Sequence, residues 1–225
     1  MLVVIRLGGS IIASPIDPKR INQYVELLKQ LSGDGHNVIT VVGGGALARE
    51  LIRTGSTLGL SEEAQDWLAI HVSRLYALIL ALKLGEAGTG KVPTSVREAA
   101  NALKENRIVV MGGLRPGMTT DAVAAHVAQE VKAQLLVKAT DQEGIYTKDP
   151  RKYKDAKKLD KITFKKLARL LEQNRHKAGI HQILDPVAVE ILQKTRTRTI
   201  VVNGGNPRNL HAAVEGKKVG TVIAE

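Results

Sequence analysis

Short apolar runs alternate with amphipathic stretches along the whole chain. Leu2 to Leu7, Val38 to Val42, Ile108 to Met111, Leu135 to Ala139, Thr199 to Val202 and Val219 to Ile223 are rich in Val, Ile and Leu, the pattern of strands covered on both faces. Between the first two, Lys19 to Leu31 places Ile21, Tyr24, Val25, Leu28 and Leu31 on one side of a helix, a stripe suited to packing on a sheet. Ser61 ahead of Glu62 and Glu63 predicts a capped helix start, and Asn206-Pro207 predicts another. Strands that alternate with helices build βαβ units, so the expected fold is α/β: a three-layer αβα sandwich around a mainly parallel, twisted sheet. Neither a long linker nor an internal repeat interrupts this rhythm, and residues 1–225 are expected to form a single domain.

In such sheets ligands gather at the carboxyl ends of the strands, where helix N-termini and loop amides converge. Glycines stand at those places. Gly8-Gly9-Ser10 follows the first strand, Gly43-Gly44-Gly45 the second and Gly112-Gly113 the third, while Gly144 lies a few residues past the fourth. A single glycine turn can serve tight packing alone, but recurrence at successive strand ends predicts seats for phosphate. Arg6 adds a cation and Ser10 a hydroxyl to the first turn, and Arg49 lies about one helical turn beyond the second. The stretch from Gly112 to Asp121 combines Arg115 with the hydroxyls of Thr119 and Thr120 ahead of a helix starting near Asp121, and reads as a substrate loop. The stretch from Thr140 to Pro150 offers Tyr146, hydroxyls and acids that suit a nucleoside.

Two tempting motifs fail on context. Gly85 to Lys91 has Walker-like spacing, but Val92 stands where a hydroxyl should hold magnesium and the stretch follows a helix, so it reads as a connector. Gly43-x-Gly45-x-x-Ala48 with Asp66 resembles a dinucleotide fingerprint, yet Asp66 falls inside a helical stretch rather than at a strand end.

Composition narrows the classes further. The net charge is +11, and Lys148 to Lys166 carries nine Lys or Arg against three Asp, a solvated face, a rim that draws phosphate or a nucleic-acid patch. Aromatics at 3% argue against a stacking platform for single-stranded nucleic acid. With no cysteine, disulfides, thiolate catalysis and cysteine metal sites are excluded, and a reducing compartment, the cytoplasm, is expected. The N-terminal run reads as a buried strand rather than a signal peptide. No apolar run approaches the roughly 18 residues of a membrane span, so no membrane association is expected. His36, His71, His126, His176, His181 and His211 show no metal-ligand spacing and read as structural or surface residues.

Together the turns Arg6-Leu7-Gly8-Gly9-Ser10, Gly43-Gly44-Gly45, Thr119-Thr120-Asp121 and Thr140-x-x-x-Gly144-Ile145-Tyr146-x-x-Asp149-Pro150 resemble the amino-acid kinase family over nearly the whole chain. Within it, GGGALAREL, the Asp66-Trp67 position and MGGLRPGMTTDAVAA look most like archaeal members that phosphorylate UMP. The resemblance implies transfer of the γ-phosphoryl of ATP to UMP, a step of pyrimidine nucleotide biosynthesis. It implies an N-terminal lobe of about residues 1–132 on the UMP side and a C-terminal lobe of about residues 133–225 on the ATP side. Gly9, Ser10, Gly45, Arg49, Thr140, Tyr146 and Asp149 would contact ATP. Gly44, Asp66 and the loop Leu114, Arg115, Pro116, Gly117, Met118, Thr119 and Thr120 would hold UMP. Arg6, Asp121 and Asp185 would be catalytic, the two acids organising the cations, although Asp185 ahead of Pro186 also suits a plain helix cap. Mg²⁺ would arrive mainly through the phosphates of ATP, and a homohexamer built from dimers is implied, with no specific nucleic-acid partner.

Two positions depart from the family pattern. Arg6 replaces a lysine, setting a planar fork where a compact charge is usual, and Gln142-Glu143 replaces Val-Asp before Gly144. A family kinase for another small phosphate, carboxylate or carbamate is the nearest alternative, followed by a non-catalytic nucleotide- or RNA-binding protein.

Overall fold

A computed structural model describes residues 1–13, 15–173 and 184–225. The elements run β1 (Leu2–Leu7), α1 (Gly9–Ile12), α2 (Pro18–Gly33), β2 (Asn37–Val42), α3 (Gly45–Thr57), α4 (Glu62–Leu84), α5 (Val96–Glu105), β3 (Ile108–Met111), α6 (Thr120–Glu130) and β4 (Leu135–Thr140). There follow β5 (Ile145–Tyr146), β6 (Lys158–Leu159), β7 (Lys161–Ile162), α7 (Phe164–Gln173), α8 (Pro186–Thr195), β8 (Arg198–Asn203), α9 (Arg208–Val214) and β9 (Thr221–Ile223).

Seven strands form one sheet in the order β3-β2-β1-β4-β8-β9-β7, and β5 pairs with β6 in a separate antiparallel ribbon. From β3 to β8 every pairing is parallel, as the buried runs predict. The last strand departs from that expectation: it is shorter than Val219 to Ile223 and runs antiparallel to β8. A helix of seven residues such as α9 rises only about 10 Å, roughly half the length of a six-residue strand, and does not return the chain to the start of β8 for a parallel crossover.

Alternate side chains feed two cores. Val3, Ile5 and Leu7 of β1 pack with α2, α4 and α9 on one face, whereas Val4 shares the other face with α5, α6, α7 and α8, the three-layer arrangement predicted. Arg6 and Lys138 have the parity of Val4 and Leu136, so both face the α6 side.

Helix starts follow local chemistry. Asp17 accepts from the amides of Lys19 and Arg20 with Pro18 at the first turn, and Ser61 accepts from Ala64. Asn206 accepts from the amide of Arg208, starting α9 one residue later than Asn-Pro alone suggests. The Walker-like stretch is a 3-10 turn closing α4, with no strand before it. Contrary to expectation, α4 is long and apolar enough to cross a membrane by length and composition alone. Its Val72, Tyr76, Ala77, Leu80, Ala81 and Leu84 are buried in the first core, as in a core helix.

Candidate active site

The strand order reverses between β1 and β4, the place where an open sheet leaves a crevice at its carboxyl edge. The ladder continues past the strand ends: the amide of Gly43 donates to Leu7 (2.9 Å), that of Gly8 to Ala139 (3.1 Å) and that of Gly204 to Thr140 (2.8 Å). The turns after β2, β1, β4 and β8 therefore stand in a row. A Cβ on Gly9 would overlap the carbonyl of Gly43 and the amide of Gly45, and Gly45 itself has φ +62°. Only glycine lets these two turns touch.

Above the row lies a cavity of about 560 Å³, and on its wall stand Arg6, Ser10, Arg49, Thr119, Thr140 and Asp149 together with Asp121 and Asp185. Gly9 and Gly45 instead form the contact between the adjoining turns, Gly44 packs against Ala48 and the carbonyl of Ala69, and Tyr146, half-buried on β5, is not on this wall.

Asp121 is buried at the first turn of α6 and carries the charge of the site. Arg6 Nε lies 2.7 Å from Oδ1 and Lys138 Nζ 2.5 Å from Oδ2, while the amide of Asp185 donates to Oδ2 at 3.3 Å. Burial alone would raise the Asp121 carboxyl, but Lys138 and Arg6 outweigh it and hold the group below the usual carboxylate range. Burial pulls the Lys138 ammonium below its ordinary value, with Asp121 opposing the shift and Arg6 adding to it. Arg6 is further fixed by donation from Nη2 to Thr120 Oγ1 at 2.9 Å.

Asp185 combines both readings of its sequence position. Oδ1 accepts from the amides of Val187 and Ala188 and caps α8, and Oδ2 accepts from Thr119 Oγ1 at 3.0 Å, so the residue ties α8 to α6 beside the cavity. Thr119 in turn caps α6 by accepting from Ala122.

The loop from Leu114 to Met118 is held by α4. Arg74 donates to the carbonyls of Gly113 and Leu114, both at 2.9 Å, and Asp66 accepts from the amide of Gly117 at 2.7 Å. Asp66 thus grips the loop directly. Arg115 and Gly117 are exposed, Pro116 is half-exposed, and Leu114 and Met118 pack against the second core. The turn Gly112-Gly113 does not present amides to the cavity: Gly112 lies against the backbone of Ser73 and Arg74, and Gly113 donates to Ser73 Oγ at 2.7 Å. Close packing, the other reason for glycine, accounts for this third turn.

The amino acid kinase family model matches residues 1–203. The chain belongs to the amino acid kinase family. Uridylate kinase of Methanocaldococcus jannaschii is 42% identical over 225 residues, covering 99% of both chains, and that of Methanothrix thermoacetophila is 42% identical over 223 residues, again covering 99% of both. Among solved structures, uridylate kinase from Archaeoglobus fulgidus superposes with a TM-score of 0.90 at 35% identity over 100% of each chain.

Several groups in this amino acid kinase site escaped sequence reasoning. Lys138 is the sole charge within Leu135 to Ala139, a signal present in the sequence: a cation in a doubly covered strand needs a partner. Arg151 reaches the same wall and pairs with Asp141 at 2.5 Å, and Glu143 accepts from Asn203 at 2.6 Å, tying the β4 turn to the β8 turn. Asp34 lies far along the chain from His211 and Glu215, which are four residues apart, yet the three bring potential ligand atoms within 4.8 Å of one another, and His36 Nε2 lies 3.7 Å from Glu215. The i, i+4 spacing of His211 and Glu215 is visible in the sequence, whereas the approach of Asp34 and His36 is not. His176 and His181 lie outside the described residues.

Proposed function

We propose that this chain transfers the γ-phosphoryl of ATP to UMP, giving UDP and ADP, by direct in-line attack. The observation that carries the reading is the Arg6–Asp121–Lys138 cluster on the wall of a cavity flanked by two touching glycine turns. An oxygen of the acceptor phosphate forms the new bond to the γ-phosphorus while the bond to the ADP oxygen breaks and its electron pair leaves with ADP. The attacking phosphate is already ionised at neutral pH, so no protein base is needed. Positioning and charge neutralisation remain for the protein to supply. Asp121 keeps two cations aimed at one place without itself approaching the anionic substrates as a bare charge. Arg49, exposed at the wall, is available to phosphate.

ATP lies on the side of Ser10, Arg49, Thr140, Tyr146 and Asp149, with Gly9 and Gly45 beneath, and UMP on the side of Gly44, Asp66 and the loop from Leu114 to Thr120. This corresponds to an acceptor lobe over β1 to β3 and a donor lobe over β4 to β9 sharing one sheet. Both oxygens of Asp121 face cations and those of Asp185 accept from α8 and Thr119, so Mg²⁺ would be held mainly by the phosphates of the nucleotide on which it arrives. Bound with ATP, such an ion would supply neutralisation of the phosphate charge.

The reading places the protein in pyrimidine nucleotide biosynthesis in the cytoplasm, as a homohexamer built from dimers, with neither membrane nor specific nucleic acid as partner. Self-association is supported by α4, where Trp67, Leu75, Leu78 and Leu82 are exposed along one side. Charges in the basic segment are in part paired internally, as in Lys148–Asp155 at 2.6 Å, which favours a solvated rim over a nucleic-acid patch.

The test is ADP release from ATP and Mg²⁺ with a panel of nucleoside monophosphates. UMP should support the fastest turnover; preference for another acceptor would reassign the substrate, and no ADP with any acceptor would overturn the kinase reading.

A further inference from the structure

We propose that Lys138, not Arg6, supplies the compact cation that accompanies the transferring phosphoryl group, and that Arg6 serves as a fixed brace between the two glycine turns. This rests on the kinase reading and deepens it.

Arg6 is held by the fold at two of its nitrogens. Its Nε faces Asp121, its Nη2 donates to Thr120, and its fork lies close against both turns: Cβ atoms on Gly8 and Gly43 would come within 3.2 Å of Nη1 and 3.3 Å of Nη2. A planar group wedged in this way cannot follow a phosphorus atom as it moves from one oxygen to another. Lys138 stands beside it in the β1–β4 register and reaches the same carboxylate from the neighbouring strand. Its side chain is 3% exposed, yet it lines the same cavity as Asp121 and Thr140. An ammonium on an unbranched stem keeps its point charge in any rotation and swings over small distances at little cost.

The electrostatics agree with the geometry. Burial beside Arg6 lowers the hold of Lys138 on its proton in the empty site. An arriving polyphosphate adds negative charge next to the ammonium and restores that hold. Asp121 keeps the ammonium oriented until then, and the bond-making step itself is the one already described.

Lys138→Met and Lys138→Arg, with kcat and KM followed against pH, test the assignment. Loss of the charge should lower kcat about 100- to 1000-fold while KM for UMP and ATP stays close to wild type. Lys138→Arg should turn over faster than Lys138→Met and, because a guanidinium does not titrate in this range, should lack the alkaline fall in kcat/KM expected of the wild type, whose empty site lowers the lysine's hold on its proton. A Lys138→Met protein with near-normal kcat overturns the inference. So does Lys138→Arg that is no faster than Lys138→Met, or that keeps the wild-type alkaline fall. Should Lys138→Met fail to fold, the alkaline limb of Lys138→Arg decides alone. Failure of the kinase reading is distinguishable, since the wild type itself would then release no ADP.

Discussion

Arg6 and Lys138 are register partners on β1 and β4, and their cations converge on one carboxylate, Asp121. Breaking that arrangement from its centre leaves two buried positive charges facing each other. Asp121→Asn should cost about 3–5 kcal/mol of stability and abolish phosphoryl transfer. Part of the lost stability should return with ATP, whose phosphates replace the missing anion. Urea unfolding with and without ATP checks this; an unchanged midpoint for the variant would contradict it.

Acid should erode the same contribution. The folded-state pKa of Asp121 is lowered from 3.8, so the unfolded chain takes up the proton first and stability rises with pH across the interval between the two values. The contribution is complete above the unfolded value and disappears as pH falls through the folded one. The stability gap between wild type and Asp121→Asn should therefore narrow on acidification below about pH 4, as unfolding curves at stepped pH would reveal.

Arg49 stands exposed on α3 at the cavity wall. Arg49→Ala should leave the fold intact and raise KM for ATP, since a charge-assisted hydrogen bond lost is worth roughly 10- to 100-fold. Steady-state kinetics alongside thermal unfolding separates the two effects.

Arg74 acts at a distance on the acceptor side. Its guanidinium holds the carbonyls of Gly113 and Leu114 and lies 5.8 Å from the centre of the Trp67 ring. Arg74→Ala should loosen the loop and raise KM for UMP more than KM for ATP. Equal effects on both substrates would contradict the division of the site.

Much of this was legible in the chain because it is local. β1 and β3 coincide with their apolar runs and β2, β4 and β8 differ from theirs by one or two residues, since strands buried on both faces need unbroken Val, Ile and Leu. The glycines at Gly8-Gly9 and Gly43 to Gly45 stand where chain direction changes. What escaped depends on pairing across the fold. The antiparallel entry of β9 follows from the shortness of α9, the amide of Gly113 is satisfied by Ser73 some forty residues earlier, and Lys138 acquires meaning only beside Arg6. Gln142-Glu143, a departure from the family pattern in the sequence, finds one physical use in the contact of Glu143 with Asn203.

Gly9→Ala probes the contact that joins the two turns. The added methyl would strike the Gly43 carbonyl and the Gly45 amide, so a loss of about 1–3 kcal/mol or more is expected, together with weaker ATP binding. Unfolding and nucleotide titration check it, and an unperturbed variant would mean that the turns stand apart in solution.

The central claim is that one phosphorus atom passes directly between two neighbouring anion seats. ATP made chiral at the γ-phosphorus with oxygen isotopes, turned over with UMP, reads this in a single measurement. Direct in-line transfer predicts inversion at phosphorus in the UDP formed; retention would reveal an intermediate carried by the protein and contradict the account.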